Sequence, residues 1–289
     1  MGSMHAAEPS ECFAELTGQV RLVQDGWDSL VAFVDDVWVA RVPRTARTAS
    51  RARAEIALLP VLADRLAVAV PEPVRTCDLH GSMLYRYIGG RPADQLGEQA
   101  AARRVGRSLA AVLAALHRTP LMEVRELGVE DLSGGRWGEQ YRELCERFRA
   151  RVLPFLPPAY GADGRWLLDR VAERTSDPGI ADALVHRDLG PAHVLCVAGE
   201  LNGIIDWTDA CIGDRAIDLA WPLHGRPRPL ASVLAAVLQV DSDVGERSRL
   251  YHQLGPWFEV EHGLENGRDD LVSSGLRGIC DRMNDGERL

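Results

Sequence analysis

The sequence contains no lysine, since all 33 of its basic residues are arginine. Its 42 acidic residues outnumber them and give a net charge of −9. A nucleic-acid surface needs a basic patch that displaces counterions from phosphates, so this composition argues against a nucleic-acid partner. A cationic small molecule would suit the charge better, although solubility alone explains an acidic chain equally well.

The sequence also lacks a C-x-x-C pair, a long apolar run and a leader segment. Its six cysteines are too scattered to suggest a zinc site or a disulfide framework. No apolar stretch reaches the roughly 20 residues that a membrane helix needs, and the start has no basic segment followed by an apolar one. We therefore expect a reducing, cytoplasmic location and no membrane partner.

The first third of the chain has the pattern of an antiparallel sheet with one helix. Polar turns at 24–29, 35–36 and 78–81 separate short apolar runs, as in hairpins. Ala, Arg and Leu at helical spacing predict a helix over 46–66. The predicted strands are 20–23, 30–34, 37–42, 74–77 and 83–88.

Beyond a Gly-Gly-Arg-Pro breaker at 89–92 the chain is mainly helical, with a short β segment at 183–205. The predicted helices are 101–116, 137–152, 163–174, 214–224, 229–239, 244–262 and 269–283. We therefore expect an α+β fold of two lobes. Residues 1–88 would form a small lobe with a five-stranded antiparallel sheet, and residues 89–289 a larger, mainly helical lobe.

Two acidic residues follow short apolar runs in the β segment. Asp188 lies in Leu-Val-His-Arg-Asp-Leu-Gly-Pro-Ala-His-Val-Leu, which includes His193, and Asp206 follows Gly-Ile-Ile. A turn at 199–202 would bring all three side chains to one loop edge. An Asp at a strand end is often only a helix cap. Phosphoryl transfer, however, needs hard ligands for a divalent metal and a group that positions the attacking hydroxyl, and this set supplies both.

The pattern H-x-D-x-x-x-x-H followed by I-D-W resembles that of the aminoglycoside and macrolide phosphotransferases, antibiotic kinases with a protein-kinase-like fold. The segments 206–210 and 213–220 are also similar, and the resemblance extends from about residue 20 to about residue 225. It implies a small-molecule kinase that uses Mg²⁺ and ATP or GTP. Asp188 would be the catalytic base or hydroxyl-orienting residue, and Asp206 and His193 would bind the metal. His193 stands where most relatives have Asn.

The resemblance also places Arg41 where kinases carry a phosphate-binding lysine. Arginine is a permanent cation that can bind phosphate in a bidentate manner, so it can substitute. Glu55, on the following helix, would be its ion-pair partner, and Arg44 is an alternative phosphate contact. The other residues implied at the nucleotide are Asp28 and Ser29, in a loop at 25–29 over the triphosphate, and Tyr85 and Tyr87, whose backbone region would hold adenine.

The resemblance implies an antibiotic substrate, and the acidic balance favours an aminoglycoside. Asp209, Glu259 and Glu261 are candidates to attract its amino groups. A macrolide 2'-phosphotransferase is the nearest alternative, and a kinase for a metabolite such as choline or a sugar is another. The missing lysine and the His at 193 also leave open a non-catalytic, kinase-like nucleotide-binding protein.

Overall fold

The computed structural model describes residue 13, residues 18–23 and residues 28–285. The described residues form two compact units, one within the ranges 1–131 and 183–212 and the other within 132–182 and 213–289. The predicted division after residue 88, into a lobe that binds the nucleotide and a lobe that binds the substrate, stays a prediction.

The first unit contains a five-stranded antiparallel sheet with the strand order β1-β2-β3-β5-β4. The strands are β1 (Val20–Val23), β2 (Ser29–Val34), β3 (Trp38–Pro43), β4 (Pro73–Cys77) and β5 (Ser82–Arg86). The predicted sheet is therefore confirmed. Residues 25–27 of the predicted triphosphate loop lie outside the described residues.

Helix α1 (Ala46–Arg65) connects β3 to β4. It begins where the Thr45 side chain accepts a hydrogen bond from the Thr48 backbone N–H, at 3.1 Å. Leu58, Leu59 and Leu62 are fully buried on one face, as expected from their helical spacing. The chemistry-bearing residue on the same helix, Glu55, is also buried. Packing of this face therefore fixes where Glu55 lies.

A second sheet in the first unit has the order β10-β9-β6, formed by β6 (Arg91–Pro92), β9 (Val194–Val197) and β10 (Glu200–Ile204). Strands β9 and β10 form an antiparallel hairpin in which Val194 pairs with Ile204. This hairpin lies between Asp188 and Asp206 in the sequence. A third sheet has the order β7-β11-β8, with β7 (Glu130–Asp131), β8 (Ala181–Val185) and β11 (Cys211–Asp214).

Helices make up most of the rest of the chain. They are α2 (Gln99–Leu116) and α3 (Leu121–Glu126), followed in the second unit by α4 (Arg136–Arg151), α5 (Gly161–Arg174), α6 (Ala220–His224), α7 (Arg228–Leu238), α8 (Ser242–Asn266) and α9 (Asp269–Asp285). The core of the second unit contains the buried rings of Trp137, Phe148 and Trp257. No helix among the described residues is long and apolar enough to cross a membrane. The predicted combination of a small sheet and a mainly helical part is confirmed.

Candidate active site

Asp188 and Asp206 lie close together because β9 and β10 are antiparallel, so that the end of β10 lies beside the start of β9. The Ile205 N–H donates to the His193 carbonyl, at 3.0 Å, just beyond the end of the hairpin. Arg187 and Asp206 have φ angles of 71° and 68°, in the left-handed region that non-glycine residues rarely adopt. Such backbone conformations cluster at functional sites, where the surrounding structure holds them.

His193 lies between the two carboxylates. Its Nδ1 is 2.7 Å from the Asp188 backbone oxygen. A carbonyl oxygen only accepts, so Nδ1 donates in this hydrogen bond. Nε2 is 3.7 Å from Asp206 Oδ2, and Nδ1 is 3.5 Å from Asp188 Oδ2. The structure thus brings together the three residues that the sequence motif singles out.

The two carboxylates differ in their electrostatic surroundings. The Asp188 side chain is 60% exposed on its open side. Desolvation by the protein around the rest of the group raises its pKa to about 6, and the nearby carboxylates of Asp206 and Asp209 act in the same direction. Desolvation would also raise the pKa of Asp206, but the Arg41 guanidinium lowers it below its usual value. Asp206 is therefore the more firmly ionised of the two.

Arg41 and Glu55 form a buried ion pair beside Asp206. Arg41 Nη1 donates to Glu55 Oε1 at 2.8 Å, and Nη2 donates to Asp206 Oδ1 at 2.6 Å. Arg41 and Glu55 are 8% and 2% exposed, so both are shielded from water. Although desolvation acts to lower it, the two carboxylates raise the pKa of Arg41 above its already high value. The guanidinium is a fixed cation at this position.

Thr208 completes this network and was not singled out by the sequence. Its Oγ1 lies 2.7 Å from Glu55 Oε2 and also contacts the Arg41 guanidinium. Glu55 Oε1 accepts a further bond from the Trp207 backbone N–H, at 3.1 Å. The sequence signal for Thr208 is its place in the segment 206–210, because its partners Arg41 and Glu55 lie more than 150 residues away in the chain.

The other residues assigned to the nucleotide lie on the five-stranded sheet or directly next to its strands. Ser29 is buried at the start of β2, and burial together with Asp209 raises the pKa of the neighbouring Asp28. Tyr85 is buried on β5, whereas Tyr87 is 42% exposed just beyond it. Contact of these residues with a nucleotide stays a prediction.

The residues assigned to the substrate are already engaged within the protein to different extents. Asp209 accepts a hydrogen bond from Arg51 of α1, at 2.6 Å. Glu261 is buried in the second unit and pairs with Arg147 at 2.8 Å. Glu259 is half-buried on the same helix. Contact of these three side chains with a substrate stays a prediction.

The residues present fit a divalent metal that is bound jointly with a nucleotide. Arg41 engages Oδ1 of Asp206, while Oδ2 faces Nε2 of His193 across 3.7 Å. Within the described part of the chain, no group of three or more His, Cys, Asp or Glu side chains is arranged to hold a metal by itself. Mg²⁺ typically takes one or two carboxylates and completes its shell with water and substrate phosphates.

Two neighbouring carboxylates beside a buried arginine–glutamate pair, in a chain with a five-stranded sheet followed by helices, are typical of a kinase-like phosphotransferase. The sequence pattern of the Phosphotransferase enzyme family (APH) matches residues 19–257. The chain belongs to this family. The predicted enzyme class, a small-molecule kinase, is thereby confirmed.

Two relatives resemble the chain over most of its length. It is 29% identical to the uncharacterized protein YcbJ of Bacillus subtilis over 215 residues, which cover 68% of this chain and 67% of that protein. It is 26% identical to the viomycin phosphotransferase of Streptomyces vinaceus over 250 residues, which cover 81% and 84%.

Solved structures share the fold. The GDP and kanamycin complex of APH(2")-IIia has a TM-score of 0.83 at 22% identity and covers 96% of this chain and 97% of that one. The macrolide 2'-phosphotransferase MphH from Brachybacterium faecium has a TM-score of 0.68 at 24% identity and covers 93% and 96%. The predicted resemblance to aminoglycoside and macrolide phosphotransferases and the predicted kinase-like fold are confirmed.

Proposed function

We propose that this protein transfers the γ-phosphoryl group of ATP or GTP, with Mg²⁺, to a hydroxyl of an aminoglycoside antibiotic, and that this modification causes resistance. The observation that carries the proposal is the arrangement of Asp188, His193 and Asp206, with both carboxylates within 3.7 Å of one imidazole. Phosphoryl transfer depends on positioning and on electrostatic stabilisation, and this arrangement supplies both.

In this mechanism the exposed carboxylate of Asp188 orients the substrate hydroxyl and accepts its proton. Asp206 and His193 would hold Mg²⁺, which neutralises charge on the phosphates when it is bound. The hydrogen bond from His193 Nδ1 to the Asp188 carbonyl, at 2.7 Å, fixes the imidazole so that Nε2 faces Asp206. The two carboxylates thus have separate roles.

Arg41 takes the place of the phosphate-binding lysine of kinases. Its buried ion pair with Glu55 supports this role, and Arg44 is the alternative. In this proposal residues 1–88 bind the nucleotide, with Asp28 and Ser29 near the phosphates. Adenine or guanine would bind at the backbone around Tyr85 and Tyr87, and residues 89–289 would carry the catalytic loop and the substrate site.

An aminoglycoside carries several amino groups, which suits a chain with a net charge of −9. Asp209, Glu259 and Glu261 are the proposed contacts for those groups. A relative described as a viomycin phosphotransferase favours a basic cyclic peptide as the second candidate substrate. A macrolide 2'-phosphotransferase of the same fold makes a macrolide the third.

Phosphoryl transfer from ATP and from GTP should be measured against kanamycin, viomycin, erythromycin and choline. We expect transfer to the aminoglycoside that is abolished by a metal chelator. Transfer to viomycin, the macrolide or choline instead would replace the substrate class and keep the mechanism. Absence of any Mg²⁺-dependent nucleotide binding would support the non-catalytic alternative.

A cytoplasmic location stays a prediction.

A further inference from the structure

We propose that Thr208 is a positioning residue that allows an arginine at position 41 to act as the phosphate-binding cation. The proposal rests on the function proposed above, in which Arg41 serves the nucleotide. Thr208 is 6% exposed, and its hydroxyl lies among the side chains of Arg41, Glu55 and Asp206.

The hydroxyl of Thr208 has one proton to donate and lone pairs to accept with. It lies 2.7 Å from Glu55 Oε2 and 3.3 Å from Asp206 Oδ1, so the shorter contact takes the proton. The Arg41 Nη2 group, which only donates, gives a hydrogen bond to the same oxygen. Thr208 therefore accepts from the cation and donates to the carboxylate with which that cation is paired.

An arginine needs such a partner more than a lysine does. Its guanidinium presents five N–H donors in a rigid plane, and every buried donor requires an acceptor. Nη1 is used by Glu55 and Nη2 by Asp206, and Thr208 accepts beside Asp206. A lysine has three donors on one freely rotating nitrogen and can satisfy them with two carboxylates and a phosphate.

The hydroxyl also fixes the orientation of Glu55. One carboxylate oxygen of Glu55 accepts bonds from Arg41 and from the Trp207 backbone N–H, while the other accepts from Thr208. Without the hydroxyl, the second oxygen and one guanidinium N–H would be buried with no partner. The guanidinium would then shift towards Asp206 and away from the position from which it serves the phosphates.

The test compares Thr208→Val, which keeps the shape and removes the hydroxyl, with Thr208→Ser, which keeps the hydroxyl. Binding of Mg²⁺–ATP and Mg²⁺–GTP is measured by calorimetry, and kcat and KM are measured with saturating acceptor. We expect Thr208→Val to weaken nucleotide binding about 10- to 100-fold, the loss typical of a buried hydrogen bond to a charged group. Thr208→Ser should stay within about threefold of the wild type.

A double-mutant cycle separates this role from a structural one. In an Arg41→Lys background, Thr208→Val should change nucleotide affinity by less than about threefold, because the hydroxyl then has no guanidinium to support. Equal losses in the Arg41 and Lys backgrounds would overturn the proposal. The cycle is read from nucleotide affinity, so it does not depend on turnover.

Thr175→Val is the matched control. Thr175 is 1% exposed in the second unit, and its hydroxyl donates to the Val171 carbonyl at 2.8 Å. Both valine variants lose a buried hydroxyl, but only Thr208→Val should change nucleotide affinity. If Thr208→Val binds nucleotide with wild-type affinity, the role of Thr208 is overturned and the proposed function is not affected. Failure of the wild-type protein to bind either nucleotide would overturn the proposed function, and this role with it.

Discussion

The side chains of the candidate site differ sharply in solvent exposure. This difference separates residues that can contact ligands from residues that orient other side chains. The Asp188 and Asp206 side chains are 60% and 42% exposed, so they can reach ligands. The side chains of Arg41 and Glu55 are 10% and 1% exposed. A buried ion pair contributes little net stability but strongly fixes the orientation of its members. The buried pair is thus suited to orienting groups, and the exposed carboxylates to chemistry.

This separation predicts different losses for the two carboxylates. Asp188→Ala should lower turnover by at least about 10²-fold, the contribution typical of a general base, and leave Mg²⁺–nucleotide affinity nearly unchanged. Asp206→Asn should weaken nucleotide binding in the presence of Mg²⁺ and remove the metal dependence of binding. Steady-state kinetics and calorimetry measure the two effects. An Asp188→Ala protein that loses nucleotide affinity as Asp206→Asn does would contradict the assignment.

His193→Asn should change which metal the protein prefers. An imidazole is a softer ligand than an amide oxygen, and it suits transition metals better than Mg²⁺. The wild-type protein should therefore gain more activity from Co²⁺, relative to Mg²⁺, than the Asn variant does. The ratio of the two activities at saturating metal is the measurement. An unchanged ratio would show that Nε2 of His193 does not bind the metal.

At the scale of elements, the site is formed by a local hairpin and by several long-range contacts of β3 and α1 with residues 206–209. The β9–β10 hairpin joins Asp188 to Asp206 within one short segment, and for that reason the sequence predicted their proximity. The ion pair of Arg41 with Glu55 was implied by the resemblance to kinases, which places the two residues on β3 and α1. Arg51 and Asp209 are 158 residues apart, and no local pattern marked their hydrogen bond. Contacts of this kind depend on how α1 packs, which propensity alone does not determine.

The short elements show the same limit. Strand β11 and helix α3 were not predicted, whereas the longer helices were found close to their predicted bounds. Strand β11 pairs in parallel with β7, where Cys211 lies opposite Glu130. A strand of four residues carries too little periodicity to be recognised without its partner. Long amphipathic helices carry their own signal.

In the second unit, a buried ion pair joins helix α8 to Asp214, the last residue of β11. Arg247 Nε and Nη2 donate to the two Asp214 oxygens at 2.6 and 3.2 Å, and Asp214 is fully buried. The Tyr251 hydroxyl donates to the same carboxylate at 2.8 Å. Because removing one partner leaves a buried charge, we expect Arg247→Met to lower the free energy of unfolding by about 3–5 kcal/mol.

Urea unfolding followed by circular dichroism measures this loss. Arg268→Met is the control, since Arg268 pairs with Asp270 at 2.8 Å and both side chains are exposed. The control should unfold at nearly the same urea concentration as the wild type. Equal midpoints for the two variants would show that the Asp214–Arg247 pair is not structurally important.

At the scale of the whole molecule, 42 acidic and 33 basic residues give a net charge of −9. Such a field attracts cations over distances of about one Debye length, roughly 10 Å at 0.1 M salt. It raises the association rate of a polycationic substrate and does less for a molecule with a single amine. The salt dependence of kcat/KM therefore indicates whether the protein captures its substrate through the positive charge of that substrate.

We expect kcat/KM for an aminoglycoside to fall several-fold between about 50 and 300 mM NaCl, because screening shortens the Debye length from roughly 14 to 6 Å. For a macrolide the same change should be small. Nucleotide is kept saturating, so that its own salt dependence does not enter, and a non-ionic osmolyte at matched osmolality is the control. A kcat/KM that does not change with salt would show that net charge plays no part in substrate capture. The acidic balance would then reflect solubility, and the choice of acceptor would rest on Asp209, Glu259 and Glu261 alone.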